Sequence, residues 1–496
     1  MAMVIDASRS PKTHEVFVKQ YGRNIRIRGF LPWDQRLFTL DPVSLTHVMK
    51  HSNIYEKPWQ SRDLITSLIG CGMLAAEGQV HKRQRRVATP AFSVQNMRAL
   101  VPVVFAKGNE LKDRWFSMIA DAMTADAAES EKVAGAKIDV CHWVSRATFD
   151  VIGLAGFDYH FNAIQNETND CTAWDVVKVY LPIIDVLFPS EKVLTVRRCH
   201  KVIERVAGRL IREKKTKISE AEKNGSTYQG KDLLSLLLKS NVAVDLPPQQ
   251  RISDKDILHN INTFMFAGSD TSSLSITWTL LLLAKYPTIQ TRLRKELLSI
   301  SPAAPLESLT QEEVGSLYAT IADLPYLENV VRESLRMIPP VHSSLRVATQ
   351  DDDVPISSPV KLHMADGRAV EEMRSIRVSK GSFVHVPIEA FNLDREVWGP
   401  DGWQFNPDRW DNLPESVSSQ PGLYNNILTF SAGPRSCIGM RFSIIEMKTF
   451  LYILLTNFVY SETTDKVGKA NVVLTRPSRC LKWWDECDFC CSISFI

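Results

Sequence analysis

The stretch ILHNINTFMFAGSDTSSLSITWTLLLLAKY, residues 257–286, keeps a helical pattern of apolar positions and holds no proline. Just before it, SDKD (253–256) has the form of a capping box, with Asp256 three residues after Ser253. Pro287 ends the run. About 33 residues at ~1.5 Å each make a helix of ~50 Å. Such a helix must cross the whole molecule, so the rest of the chain has to pack around it. The chain is long enough to do so, with 496 residues of which 44% are hydrophobic.

Helical periodicity dominates from about residue 75 to 340. A second helix is predicted at LPYLENVVRESLRMI (324–338), with Pro325 in its first turn and Pro339-Pro340 as its stop. Short alternating pieces suggest strands in 15–60, such as EVFVKQY and RIRGFLPW, and in 341–400, including SIRVSKGSFVHVPI with its Lys-Gly turn. Residues 120–137 and 219–232 read as exposed loops. No internal repeat and no long linker divides the chain. The expectation is a mainly α fold with small β-sheets, one domain over 1–496, with a β-rich lobe from about 15–60 and 341–400.

The net charge of +3 points away from nucleic acid, and the basic run HKRQRR (81–86) stands alone. Nine irregularly spaced cysteines do not read as a disulfide framework, which suits a reducing compartment. The N-terminus lacks the apolar core of a signal peptide, and no apolar run nears the ~18 residues of a membrane span. TWTLLLLA (277–284) reads as a buried helix segment.

One thiol stands out, Cys437 in FSAGPRSCIGMRF (430–442). The residues leave four readings open. It is a buried structural cysteine, a nucleophile with a distant histidine, one ligand of a zinc site, or the single axial ligand of a haem. Zinc needs about four ligands, and no second Cys or His lies near in sequence. A haem thiolate needs only one protein ligand, on a loop whose glycines let N–H groups face the sulfur. A helix starting after Gly439 would aim its positive end at the thiolate and lower its pKa.

FSAGPRSCIG fills the pattern Phe-x-x-Gly-x-Arg-x-Cys-x-Gly with Phe430, Gly433, Arg435, Cys437 and Gly439. This resembles the haem loop of the cytochrome P-450 monooxygenases. RESLR (332–336) matches the family's Glu-x-x-Arg pair through Glu333 and Arg336, and Arg409 in FNPDRW is similar to the third member of its charge cluster. That cluster is expected to be structural. AGSDTS (267–272) resembles the oxygen-activation motif of the family. There Gly268 would bring backbone near a bound diatomic, Thr271 would hold a hydroxyl or water beside it, and Asp270 would pass protons. HKRQRRVATPAF (81–92) resembles the C-helix segment. Arg85 fits a propionate ligand, and His81 stands where the family usually has Trp. Arg435 and Arg346 match further propionate positions.

The resemblance runs from about residue 15 to 475. It implies haem b between the long helix and the Cys loop, with Cys437 on the metal. It also implies oxidation by O2, with electrons from NADPH through a reductase, cytochrome b5 as a second donor, and a monomeric enzyme. The pocket is expected around Phe264–Thr271, Val341–Leu345 and DLITSLIGCGML (63–74), for a hydrophobic substrate such as a terpenoid, another secondary metabolite or a xenobiotic. HKRQRR, PIEAFNLD and FNPDRW are most similar to microsomal enzymes of mushroom-forming fungi, which implies the cytosolic face of the endoplasmic reticulum.

Two departures set the alternatives. Microsomal relatives begin with an apolar anchor, so this chain is either soluble or shortened. The family closes after VVLTRPS with a short hairpin, whereas this chain reads RCLKWWDECDFCCSISFI (479–496), as a mis-spliced or read-through end would. With a missing hairpin the pocket is incomplete, and the chain is a haem-binding protein with impaired turnover. A thiol hydrolase without haem is the third reading. The clustered Cys487, Cys490 and Cys491 lack a clear fourth metal ligand.

Overall fold

The computed structural model describes residues 10–29, 35–126, 136–165, 191–226, 228, 230–242, 247–302, 304–362, 371–463, 467–471, 473–478 and 492–495. The structure is mainly helical, with small sheets. The helices that position the site are α1 (Ser10–Tyr21), α2 (Gly78–Ala88), α3 (Val101–Asp126), α4 (Val140–Phe157), α5 (Glu191–Lys223), α6 (Asp254–Lys285), α7 (Pro325–Met337) and α8 (Met440–Asn457).

The long predicted helix is α6, 32 residues from Asp254 to Lys285. Its capping box is present. The Ser253 hydroxyl accepts the Asp256 N–H at 3.1 Å, and the Asp256 carboxylate accepts the Ser253 N–H at 3.0 Å. Two of the four orphan donors of its first turn are thereby satisfied. From Ser272 to Ala284 every residue is buried, so this half of α6 is the axis of the core. α4 packs along it, and α8 and α7 flank it. Hydroxyls along its length, from Thr263 to Thr279, bond back to carbonyls one turn earlier, which lets polar side chains sit inside an apolar helix.

The two segments expected to form the β-rich lobe meet in one five-stranded sheet. It contains β1 (Asn24–Arg28), β2 (Gln35–Thr39), β3 (Tyr55–Glu56), β5 (Ser344–Ala348) and β8 (Phe383–Val386), in the order β1-β2-β8-β5-β3. Only the β2–β8 pair is parallel. β6 (Asp352–Leu362) and β7 (Glu371–Val378) form a separate antiparallel pair with an irregularity between Pro355 and Val360. The Lys-Gly turn therefore joins strands of two different sheets, with Gly381 at φ +84°. β10 (Gly468–Asn471) pairs with β11 (Thr475–Ser478), which holds TRPS; the closing hairpin expected after it falls outside the described residues. β12 (Ser492–Phe495) lies between β4 (Lys137–Asp139) and β9 (Tyr460–Glu462). Residues 479–491, with the clustered cysteines, lie outside the described residues.

Three local expectations are corrected. EVFVKQY is helical, within α1, and not a strand. Its alternating valines mimic a strand, but His14, Phe17 and Val18 share one helical face. His14 is buried, and Phe17 and Val18 pack on the core beneath, while Val16 is exposed. The loop read at 120–137 begins later, because α3 runs through Asp126 on the helix-favouring residues IADAM. Likewise α5 continues to Lys223, and Gly225 at φ +64° turns the chain only after it.

Candidate active site

The Cys loop turns sharply before α8. Gly433 sits at φ +68°, where a Cβ would meet the carbonyl oxygen of Met49 at 2.5 Å. A side chain is excluded there twice, by backbone conformation and by space. The turn brings the Cys437 N–H to the Phe430 carbonyl at 2.9 Å and leads into α8, whose N-cap is Gly439. The N–H groups of Gly439 and Met440 point at the Cys437 sulfur. Protein surrounds Cys437, yet its sulfur is open toward an internal cavity of about 190 Å³.

The cavity lies between α6, α2 and the Cys loop. Phe264, Ala267, Gly268 and Thr271 of α6 form one wall, and Phe430, Arg435, Cys437 and Gly439 form another. A Cβ on Gly439 would meet nothing within 4 Å, so its only destination is the open space. Gly268 has a different neighbour from the one expected. A Cβ there would stand 2.9 Å from Ile152 Cδ1, so this glycine lets α6 pack closely on α4. Met73 and Leu74 line the cavity, but no residue of Val341–Leu345 does. A second hollow of about 340 Å³, between α1 and residues 390–403, shares no residue with it.

The Thr271 hydroxyl donates to the Ala267 carbonyl at 2.7 Å. Asp270, one residue earlier, is ion-paired with Arg476 of β11, a partner the sequence did not suggest. Trp278 of α6 donates its indole N–H to the Thr475 carbonyl at 2.8 Å, which ties the same hairpin to the helix.

The charged rim decides what the cavity can hold. His81, Arg85, Arg435 and also Lys57 line it. Arg85 donates to the Ser436 carbonyl at 2.6 Å. Arg435 pairs with Glu77, while its Nη1 is buried without a hydrogen-bond partner. Arg346 does not line the wall. It donates to Ser344 Oγ at 2.5 Å and to the Leu345 carbonyl at 2.9 Å, and its charge reaches Lys57. Burial lowers Arg346 and Arg435 to about 10, so both remain cations at neutral pH. Burial, with Lys57 and Arg85 beside it, lowers His81 to about 4, which leaves a neutral imidazole with one N–H to give. Glu77 is the carboxylate set among these cations. Nearby, Glu56 and Arg62 face each other at 3.6 Å. A buried excess of positive charge over Glu77 and Glu56 is costly unless an anion joins it. A flat macrocycle with two carboxylates would fit this donor set, a sulfur on one wall and basic side chains at the rim.

One expectation about the thiol is corrected. The helix start at Gly439 does favour the thiolate, as does the charge on Arg85, but burial outweighs both and raises the Cys437 pKa in the protein alone. Without a ligand the sulfur therefore favours its protonated form.

Farther from the cavity, Glu333, Arg336 and Arg409 form one buried cluster. Arg336 clasps the carboxylate through Nε at 2.9 Å and Nη2 at 2.7 Å, and Arg409 Nε reaches it at 3.0 Å. Trp410 Nε1 and the Asn406 N–H complete its shell at 3.1 and 3.0 Å. Asp401 neutralises Arg409 at 2.8 Å. Sequence reading missed Asp401, Lys57 and Glu77. The one signal for Glu77 was an acid set just ahead of a basic run.

Comparison with known proteins agrees with this geometry. The family model described as Cytochrome P450 matches residues 9–358 and 368–481. "Cytochrome P450 monooxygenase 205" of Postia placenta is 35% identical over 95% of this chain and 86% of its own length. "Ganoderic acid synthetase CYP5150L8" of Ganoderma lucidum is 32% identical over 90% of this chain and 82% of its own. A crystal structure of "Cytochrome P450 (CYP102L1)" superposes with a TM-score of 0.68 at 22% identity, covering 98% of this chain and 94% of that one, and speaks to the fold. The chain belongs to the cytochrome P450 family of haem-thiolate monooxygenases.

Proposed function

We propose that Cys437 is the axial ligand of a haem b and that the cavity above it inserts one atom of O2 into a hydrophobic organic substrate. The observation that carries this reading is a sulfur met by two backbone N–H groups, facing a cavity whose edge holds unpaired cationic capacity. Haem, when bound, supplies the redox-active iron at which O2 is split, and a thiolate ligand favours that cleavage. The chain's own residues do the rest. Cys437, on losing its proton, would hold the metal, and the N–H groups of Gly439 and Met440 would moderate the charge on its sulfur. Arg85 and Arg435 would take the carboxylates, neutral His81 would give one hydrogen bond, and Arg346, behind the wall, would add its charge.

Asp270 and Thr271 supply protons. Asp270 is part-exposed and can exchange with solvent once Arg476 releases it. The Thr271 hydroxyl, on the cavity wall, can then hand a proton inward from its bond to Ala267. The overall balance is substrate C–H plus O2, two electrons and two protons, giving C–OH and water.

Electrons come from NADPH through a reductase docked on the basic face that carries Lys82, Arg83 and Arg86, with cytochrome b5 as a second donor. No described helix is long and apolar enough to cross a membrane. The reading places the enzyme, as one monomeric domain, at the cytosolic surface of the endoplasmic reticulum. Phe92, Ile152 and Phe264 on the cavity wall favour an apolar substrate such as a terpenoid or another secondary metabolite.

The test is the absorption spectrum of the reduced, CO-bound protein. A Soret band strongly red-shifted from that of His-ligated haem is expected, and Cys437→Ser should abolish it. Persistence of the shifted band in that variant would remove Cys437 from the role. Substrate-dependent NADPH consumption with a matched reductase then separates a working enzyme from a haem binder without turnover.

A further inference from the structure

Lys57 is the basic side chain at the cavity that no motif announces. Its backbone N–H donates to Glu77 Oε1 at 3.2 Å, and its Nζ lies 3.6 Å from the same oxygen. Glu77, almost wholly buried, is at the same time the partner of Arg435. One carboxylate thus holds two basic side chains in place at the rim.

We propose that Lys57 is a further ligand for one of the cofactor's carboxylates, and that Glu77 is the residue that positions Lys57 and Arg435 for it. This rests on the reading of the cavity as a haem site.

The argument is one of unbalanced charge. Lys57 faces Arg435 from the Cys loop, Arg346 from β5, Arg62 from the helix after Trp59, and His81 and Arg85 from α2. Against these stand Glu77, already claimed by Arg435, and Glu56, facing Arg62. Burial first, and then Arg435, Arg346 and Arg62, drive the Lys57 amine toward its neutral form. A carboxylate arriving at the rim reverses that balance. The amine then takes up a proton and gives a charge-assisted hydrogen bond to the newcomer. Cofactor binding is therefore coupled to proton uptake at this position. The sign follows. With the cofactor in place Lys57 is charged at neutral pH, and the contact weakens as pH rises through its cofactor-bound pKa.

The experiment uses Lys57→Met, with Lys57→Arg and Glu77→Gln beside it. Loss of haem from the holoprotein to excess apomyoglobin is followed from pH 6 to 10. A charge-assisted contact is worth a factor of about 10 or more. Lys57→Met should release haem faster by about that factor at neutral pH, with the difference shrinking as pH rises. Lys57→Arg should keep the slow rate and lose the acceleration at high pH. Glu77→Gln should release haem faster than wild type.

Proton uptake is counted by calorimetry in buffers of different ionisation enthalpy, with metal-free protoporphyrin IX as the probe. That probe carries both carboxylates and makes no bond to Cys437, so its result stands whether or not the thiolate assignment does. Wild type should take up more protons than Lys57→Arg. Haem loss from Lys57→Met at the wild-type rate across the pH range, or equal proton counts for wild type and Lys57→Arg, would overturn the proposal. If Lys57→Met does not fold, the Arg variant alone decides through the proton count.

Discussion

Glu446 shows how far one side chain can depart from solution chemistry. It sits on α8, nine residues after Cys437, and is wholly buried. Neither carboxylate oxygen has a well-formed hydrogen bond, since the nearby Ser272 hydroxyl bonds to Ser443. Burial pushes its pKa up to about 8, against a weaker opposing pull from the Ser272 hydroxyl. The folded state therefore holds a proton that the unfolded chain releases near pH 4.3. Between these values the native state binds more protons, so stability falls as pH rises through the window. The effect is several kcal/mol at most, at about 1.4 kcal/mol per tenfold. Glu446→Gln removes the titration. Its Tm should gain on wild type progressively from about pH 5 to about pH 8, and parallel Tm curves would refute the assignment.

At the scale of elements, the site depends on a turn and a helix meeting at fixed distances. The turn has one position that admits only glycine. Gly433→Ala should cost at least about 1–2 kcal/mol from its left-handed backbone, with more added by the contact with Met49. Urea unfolding measures that loss, and haem content should fall with it. The helix, α6, presents Thr271 to the cavity and Asp270 to the Arg476 pair. Asp270→Asn should lower product formation by about 100-fold, the scale of a general acid, while leaving the CO-bound spectrum intact. Unchanged turnover in Asp270→Asn would mean that protons enter by another route.

Across the whole molecule, the Glu333–Arg336–Arg409 cluster ties α7 to the segment that leads toward the Cys loop. Arg336 also donates to the carbonyls of Asn392 and Gly402 at 3.0 and 2.7 Å, so one guanidinium gathers three parts of the chain. Each charge in it is buried and paired, and removal of one leaves its partners uncompensated. Glu333→Gln should destabilise the protein by about 3–5 kcal/mol and lower haem retention, measured as Tm and as the CO-difference band. The hairpin of β10 and β11 bears on the same scale. Arg476 and Thr475 reach α6 from near the C-terminal end of the chain.

The sequence determined the elements and motifs whose signal is local. The capping box and Pro287 bound α6 because end chemistry acts within one turn, and the spacing of Phe430, Gly433, Arg435, Cys437 and Gly439 reports a loop closed on itself. Glu333 and Arg336 were legible because residues three apart share a helix face. Tertiary structure alone decided the partners. Glu77 and Lys57 lie 20 residues apart, Asp270 and Arg476 lie 206 apart, and neither spacing carries a signal. It also decided the protonation of Cys437, Glu446 and Lys57, since burial is a property of everything packed around a group. The segment EVFVKQY fits both a strand and a helix in isolation. It became a helix because the surface beneath it offered a place for one face, which no short window of sequence contains.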